Sequence, residues 1–459
     1  MKKLFIIPLL LLLIPVSLKA QKEEVIVSGE LIAGGKPVEL IFVIKPGRSI
    51  IEVPVQYVYD MELTSAFFKD DSLFIAHDPM KVKYSGKVYG SIDSINGIYT
   101  QGNYSSPLSL FPKKDYKPVV RTQKISPPFP YYTKDVTFKN KVEGFELAGT
   151  VTAPDSTGKY PAVILVTGSG PQDRDESLVG HKPFLVIADY LTRNGIAVLR
   201  YDDRGTAKSK GNFKSAKTLD FVVDASSAID FLRTLPFVDT MKTGLIGHSE
   251  GGIIAPIAAT ENSGIKFIVS LAGPGVTGKE IIMEQTILLA RAENADEKDL
   301  VIFNELLKSC LDAILANPEF AAKQLDSAYK AYMSQFPEEE KERLQKLEQF
   351  DKRGFFSFTT PWFLQFLVLD PVSYIEKLKV PMLALWGSKD LQVPPDQSMP
   401  PVKKALEKAG VEYEIEVFDS LNHLFQKVKT GGMSEYATTE TTIEPEVLEK
   451  LVKFIKALK

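Results

Sequence analysis

The chain carries a single cysteine, Cys310, in 459 residues. An intrachain disulfide needs two thiols, so none is possible, and no cysteine metal site can form. Cys310 falls in an apolar helical run and is expected to fill core. Histidine is scarce too, at four residues: His77, His181, His248 and His423. Chemistry that needs an imidazole must draw on that short set. Excess charge is also missing. A net charge of -3 gives no electrostatic case for nucleic acid or acidic lipid as a partner. The N-terminal apolar run at 4–16 is shorter than the ~20 residues that a membrane span requires. Lys2 and Lys3 precede it and Ser17-Leu18-Lys19-Ala20 follows, which is the pattern of a secretory signal peptide over 1–20, cleaved near Ala20. No cysteine follows to carry a lipid. The expectation is an exported protein with no membrane span after processing. The want of disulfides suits a bacterial periplasm or exterior better than a eukaryotic secretory route.

What is present is ordinary for a globular protein: 44% hydrophobic and 25% charged residues, in a chain long enough for two or three domains. Residues 21–112 read as all-β. Short β-branched and aromatic runs, such as 38–44, 73–77 and 98–104, are separated by turn signals at Gly34-Gly35, Pro46-Gly47, Asp70-Asp71 and Asn96-Gly97. Val82, Tyr84 and Val88 alternate with Lys81, Lys83, Ser85 and Lys87. A small antiparallel barrel or sandwich is expected, acting as a scaffold or docking module. His77 lies there without metal-ligand spacing or an acidic pair, and is expected to be structural. Residues 113–131 contain Lys117-Pro118 and Pro127-Pro128-Phe129-Pro130, and read as a linker. Over 132–459 strands alternate with helices, at 162–166, 184–194, 196–201 and 219–235 for example, which predicts a mostly parallel sheet with helices on both faces. A helical stretch at 279–366, charged on its faces, interrupts the alternation and predicts a lid.

One stretch organises this second region. Residues 244–246 read as a buried strand, and 251–259 as a helix of small residues. Between them Gly247-His248-Ser249-Glu250-Gly251 forms G-x-S-x-G. A sharp strand-to-helix turn lifts a serine hydroxyl clear of the sheet, and glycines on either side let neighbouring backbone pass. Ser249 is the candidate nucleophile. It needs a base, and the base needs an orienting carboxylate. His248 is adjacent to the serine and points away from it, and His77 belongs to the other domain. His423, in the loop after the strand at 413–418, is the candidate base. Asp390, after the strand at 382–386, is the candidate orienter, with Asp419 as a rival that reads better as a turn residue. An oxyanion needs two backbone N–H donors. Glu250 supplies one. Thr167-Gly168-Ser169-Gly170-Pro171-Gln172 supplies the other, with Ser169 first and Gly170 or Gln172 as alternatives. That loop lacks the lysine of a phosphate-binding loop. His181, Trp362 and Phe363 are candidate pocket residues; the aromatics around 355–366 serve either as an acyl pocket or as plain lid core.

These motifs, with Arg200-Tyr201-Asp202-Asp203-Arg204-Gly205, Gly387-Ser388-Lys389-Asp390, Val393-Pro394-Pro395 and Asn422-His423-Leu424-Phe425, resemble the exported bacterial α/β-hydrolase carboxylesterases that carry a small β domain in front. The resemblance covers about 130–459 and, less sharply, the β region before it. The order Ser249, Asp390, His423 is that of the fold. The resemblance implies an α/β-hydrolase fold with a helical lid, and hydrolysis of short or medium acyl esters, small-molecule or glycan-linked, without metal or cofactor. Two departures stand out: Thr167 where many hydrolases have histidine, and Ala207 where the family usually has a second glycine. Two other functions compete. A peptidase of the prolyl-oligopeptidase type would need a propeller that about 90 residues of β structure cannot build. An inert binding protein would not need an intact Ser, Asp and His set.

Overall fold

The computed structural model describes residues 24–458 except 34 and 57, so the expected signal peptide at 1–20 lies outside the described residues. The chain forms two compact units that part between Val119 and Val120.

Among the described residues the first unit has nine strands: β1 (Val25–Ala33), β2 (Lys36–Ile44), β3 (Ile50–Val53), β4 (Val58–Glu62), β5 (Ser65–Lys69), β6 (Ser72–His77), β7 (Val82–Tyr89), β8 (Ser94–Gln101) and β9 (Tyr104–Pro112). They form one antiparallel sheet in the order β4-β3-β2-β1-β9-β8-β7-β6-β5. β4 and β5 follow each other in the chain yet sit at opposite edges, so the sheet is a half-barrel rather than a closed barrel or a sandwich. Alternation decides which face is core. In β7, Val82, Tyr84 and Val88 are buried while Lys83, Ser85 and Lys87 are exposed. Val27, Phe42, Leu73, Ile95 and Leu110 are fully buried in the same core. Asn96-Gly97 is not the turn that the sequence suggested: it lies inside β8, paired with Lys87 and Gly86, and the chain turns instead at Gly90, where φ is +61°.

The second unit is built on an eight-stranded sheet. Its strands are β10 (Tyr132–Lys139), β11 (Glu146–Ala153), β12 (Tyr160–Val166), β13 (Ala197–Tyr201), β14 (Val238–His248), β15 (Phe267–Leu271), β16 (Met382–Gly387) and β17 (Tyr413–Phe418). The order is β10-β11-β13-β12-β14-β15-β16-β17, with an antiparallel hairpin at one edge and parallel pairing from β13 to β17. Strands covered on both faces read as continuous apolar runs. β12 shows this, with Ala162 to Val166 all buried. This is the α/β-hydrolase fold. Arg121, inside the expected linker, is held in this unit by the carbonyls of Thr439, Val179 and Ala437, at 2.7, 2.9 and 2.6 Å. A guanidinium has five donors in a fixed fork, so a single arginine can tie a proline-rich strand of chain to three carbonyls.

Helices α1 (Pro183–Arg193), α2 (Thr218–Leu232) and α3 (Gly251–Glu261) connect the early strands. Between β15 and β16 the chain leaves the sheet and forms the helical insertion. Its helices are α4 (Gly278–Ala292), α5 (Glu297–Ala316), α6 (Ala321–Met333), α7 (Glu338–Gln345), α8 (Lys352–Phe355) and α9 (Pro361–Phe366). Its buried residues continue the core of the sheet, and among them Phe303 meets Phe350 and Phe355 edge to face, at 5.5 and 5.9 Å between ring centres. Cys310 is buried there, and burial pushes its thiol up to about 12, which makes it packing material.

Candidate active site

The elbow follows from sterics. Ser249 holds a φ of +52°, a left-handed conformation that is costly for a residue with a Cβ. Its N–H donates to the carbonyl of Leu271 at 2.8 Å, which fixes the turn to β15. The two glycines of G-x-S-x-G are obligatory. A Cβ on Gly247 would lie 1.9 Å from the Gly251 oxygen, and one on Gly251 would lie 2.2 Å from the Val166 oxygen. The serine therefore sits at the mouth of the turn, half-buried, with the N-terminus of α3 directly behind it.

The other two candidates of the set come from neighbouring loops. His423, after β17, has Nδ1 2.8 Å from Asp390 Oδ2. Asp390, after β16, is 2% exposed, and its other oxygen accepts from the N–H groups of Gln392 and Val393 at 2.8 Å each. Those bonds fix the carboxylate and leave Oδ2 for the imidazole. Asp419 is engaged elsewhere, by the hydroxyls of Ser388 and Ser420, both at 3.1 Å. Those two bonds, Ser420's first, hold its carboxyl below the usual range. Ser249 and His423 open on one cavity of about 260 Å³.

The loop after β12 completes the site. Gly168 approaches so closely that a Cβ there would stand 3.1 Å from the Ser249 Cβ. Its N–H is already given to Glu176 Oε1 at 2.8 Å, and the Gln172 N–H is given to Asp203 Oδ2 at 2.9 Å. Gln172 is thereby removed as an oxyanion donor, leaving the N–H groups of Ser169 and Gly170 beside that of Glu250. Ion pairs anchor this loop to β13 and the turn after it: Arg174 to Asp202 at 2.7 Å, and Arg200 to Asp175. Thr167 donates to Asp203 at 2.8 Å, so the residue that replaces the usual histidine locks the same turn. Ala207 has a φ of +46°, which explains why a glycine is the usual occupant.

On the helical side Trp362 and Phe363 line the cavity with Phe366. Trp362 also donates from Nε1 to Glu250 Oε1 at 2.8 Å, and Thr218 donates to the same oxygen at 2.7 Å. Burial pushes the Glu250 carboxyl up, against the pull of these bonds. His181 is not a pocket residue. It is 1% exposed, and its ring lies between the Thr442 hydroxyl, at 2.9 Å, and the Tyr436 carbonyl, at 3.0 Å. Burial, with Arg121 nearby, pulls it down to about 4, so the ring is neutral. Sequence reasoning passed over Glu176 and gave His248 no partner; the structure joins them at 2.9 Å. No group of three or more metal-ligating side chains occurs among the described residues.

A serine on a strand-to-helix elbow, facing a histidine paired with a carboxylate on a parallel sheet, defines the α/β hydrolases. The chain belongs to the family described as serine aminopeptidase S33 (Hydrolase_4), which matches residues 182–427. It is similar to the esterase EstD of Thermotoga maritima, 27% identical over 335 residues, 72% of this chain and 69% of that protein. A shorter stretch of 117 residues is 31% identical to the polyketide transferase claH of Penicillium crustosum, over 24% of this chain and 38% of that one. Among solved structures, the esterase Pf2001 of Pyrococcus furiosus matches with a TM-score of 0.43 at 15% identity, over 75% of this chain and 98% of that chain.

Proposed function

We propose that the protein is a serine carboxylic-ester hydrolase for short to medium acyl esters, with Ser249 as nucleophile, His423 as base and Asp390 as orienter. The observation that carries this reading is the pairing of His423 Nδ1 with the buried Asp390 carboxylate, on the same cavity as Ser249. An Nδ1–H given to Asp390 leaves Nε2 free to take the proton of the Ser249 hydroxyl as Oγ attacks the ester carbonyl carbon. The developing oxyanion faces the N–H of Glu250 and the N–H of Ser169 or Gly170. His423 returns the proton to the alcohol as it leaves. Water then repeats the sequence on the acyl-enzyme and restores the serine. Apolar walls at Ile281, Ile282, Phe363 and Phe366 suit an acyl chain. The same reading assigns export to residues 1–20, a scaffold role to 21–112, a connecting role to 113–131 and the chemistry to 132–459 with its lid at 279–366. Among the described residues no helix is long and apolar enough to cross a membrane.

The family's description makes an aminopeptidase the second reading, and the relative EstD favours the esterase. A panel of esters graded from acetyl upward, with a feruloyl ester, an acetylated sugar and aminoacyl anilides, separates them. Cleavage of the shorter esters well above the anilides is expected. Anilide cleavage without ester cleavage would replace the esterase by the peptidase.

A further inference from the structure

Two buried ionisable groups on the wall of the cavity have no part in the chemistry above. His248 is 6% exposed and Glu176 is 4% exposed. His248 Nε2 lies 3.0 Å from the backbone carbonyl oxygen of His423. A carbonyl only accepts, so Nε2 carries a proton. His248 Nδ1 lies 2.9 Å from Glu176 Oε1, and that oxygen also accepts the Gly168 N–H at 2.8 Å. With Glu176 as a carboxylate, that oxygen accepts from both neighbours, and Nδ1 carries a proton as well. The ring is then an imidazolium and Glu176 is its counter-ion. Burial opposes that charge, while Glu176, the His423 carbonyl and Asp390 favour it, and the balance holds His248 above its ordinary range.

The position of this pair gives it a task. Its carboxylate end grips Gly168, next to Ser169. Its imidazolium end grips the backbone of His423, with the two rings 4.8 Å apart and inclined by 49°. His248 itself precedes Ser249. One ion pair thus connects the three pieces of backbone that must stay in register: elbow, oxyanion loop and base loop. We propose that Glu176 and His248 form a positioning pair that sets the oxyanion loop and the His423 loop relative to Ser249. The proposal rests on the serine-hydrolase reading. A buried, doubly hydrogen-bonded charge pair suits the task because it tolerates little displacement, and removing one partner strands the other.

The test uses full-length protein carrying Glu176→Gln, His248→Gln or both. A misplacement of the order of 1 Å costs about 10²-fold in rate, so each single variant should lose about that factor in kcat while KM stays within about threefold. The double variant should be no slower than the slower single, because the two residues act as one unit. Folded variants with kcat near wild type, a loss carried by KM alone, or losses that multiply would overturn the proposal. Should wild type cleave no ester, the rate of fluorophosphonate labelling at Ser249 takes the place of kcat, so failure of the substrate reading stays separate. A second measurement needs neither turnover nor a foldable pair variant. Nitrogen NMR of histidine-labelled Ser249→Ala protein at neutral pH should show one ring with two protonated nitrogens. A spectrum in which every ring is singly protonated would overturn the pair.

Discussion

The two walls of the cavity differ in how they are held. On the sheet side Asp390, Glu250, His423 and His248 are 2 to 6% exposed, and each is held by hydrogen bonds of 2.7 to 3.0 Å. On the helical side Trp362 and Phe363 are only half-buried, and they rest on other rings: Trp362 on Phe366 at 5.0 Å, Phe363 on Phe358 at 5.0 Å. A hydrogen bond to a buried charge loses most of its value over small displacements, whereas ring packing re-forms in a new arrangement. Changes on the sheet side should therefore lower the rate for every substrate. Changes on the helical side should redistribute rate among substrates.

The largest effect expected on the sheet side is that of Ser249→Ala, which should abolish ester hydrolysis while circular dichroism stays that of wild type. Activity within about tenfold of wild type would remove the serine from its role. Asp390→Asn comes next. It should cost about 10⁴-fold in kcat, because the amide turns the imidazole to the wrong tautomer. Asp419→Asn, on the exposed turn, should change kcat by less than a few-fold; the reverse ranking would mean that the orienter is the other aspartate.

Phe363→Ala tests the helical wall. Each buried CH₂ of an acyl chain contributes about 0.8 kcal/mol, so a few methylenes of altered depth should shift the ratio of medium-chain to acetyl esters by tens of fold. Acetyl activity should stay near wild type. An equal loss on all chain lengths would show that the ring is lid core. The matching Trp362→Ala change should be less selective, since it also removes a donor from Glu250. The smallest effect concerns His181, away from the cavity. Its folded value of about 4 lies below the ordinary 6.5, so the unfolded chain binds the extra proton first as pH falls. Stability from this ring is complete above about pH 6.5 and drains away toward pH 4, by roughly 3 kcal/mol at most. His181→Gln should flatten that part of a plot of melting temperature against pH; an unchanged slope would contradict the neutral ring.

Much of the sheet side is legible in the sequence because it is written in local pattern. Glycine at 247 and 251 and strands that end shortly before Ser249, Asp390 and His423 follow from steric and burial rules that act over a few residues. What escaped is set by contacts far apart in the chain. His181 and His248 are both buried, and each has a backbone carbonyl on one side of its ring. Burial pulls His181, beside a hydroxyl 261 residues away, below its ordinary range, whereas a carboxylate 72 residues away holds His248 above it. No spacing rule connects either pair. The helix α10 (Pro395–Ala409) was hidden for a different reason, since Pro400 and Pro401 argue against a helix that the structure nonetheless forms. The half-barrel was hidden because register and edge pairing, unlike alternation, are not written in any one strand.

Ser249, and no other serine, is the proposed nucleophile. Wild-type protein treated with a fluorophosphonate should gain one adduct per chain, and peptide mapping should place it on the segment that contains Ser249. Labelling should fall to background in His423→Ala. An adduct on a different serine, or labelling that is as fast without His423, would contradict the account.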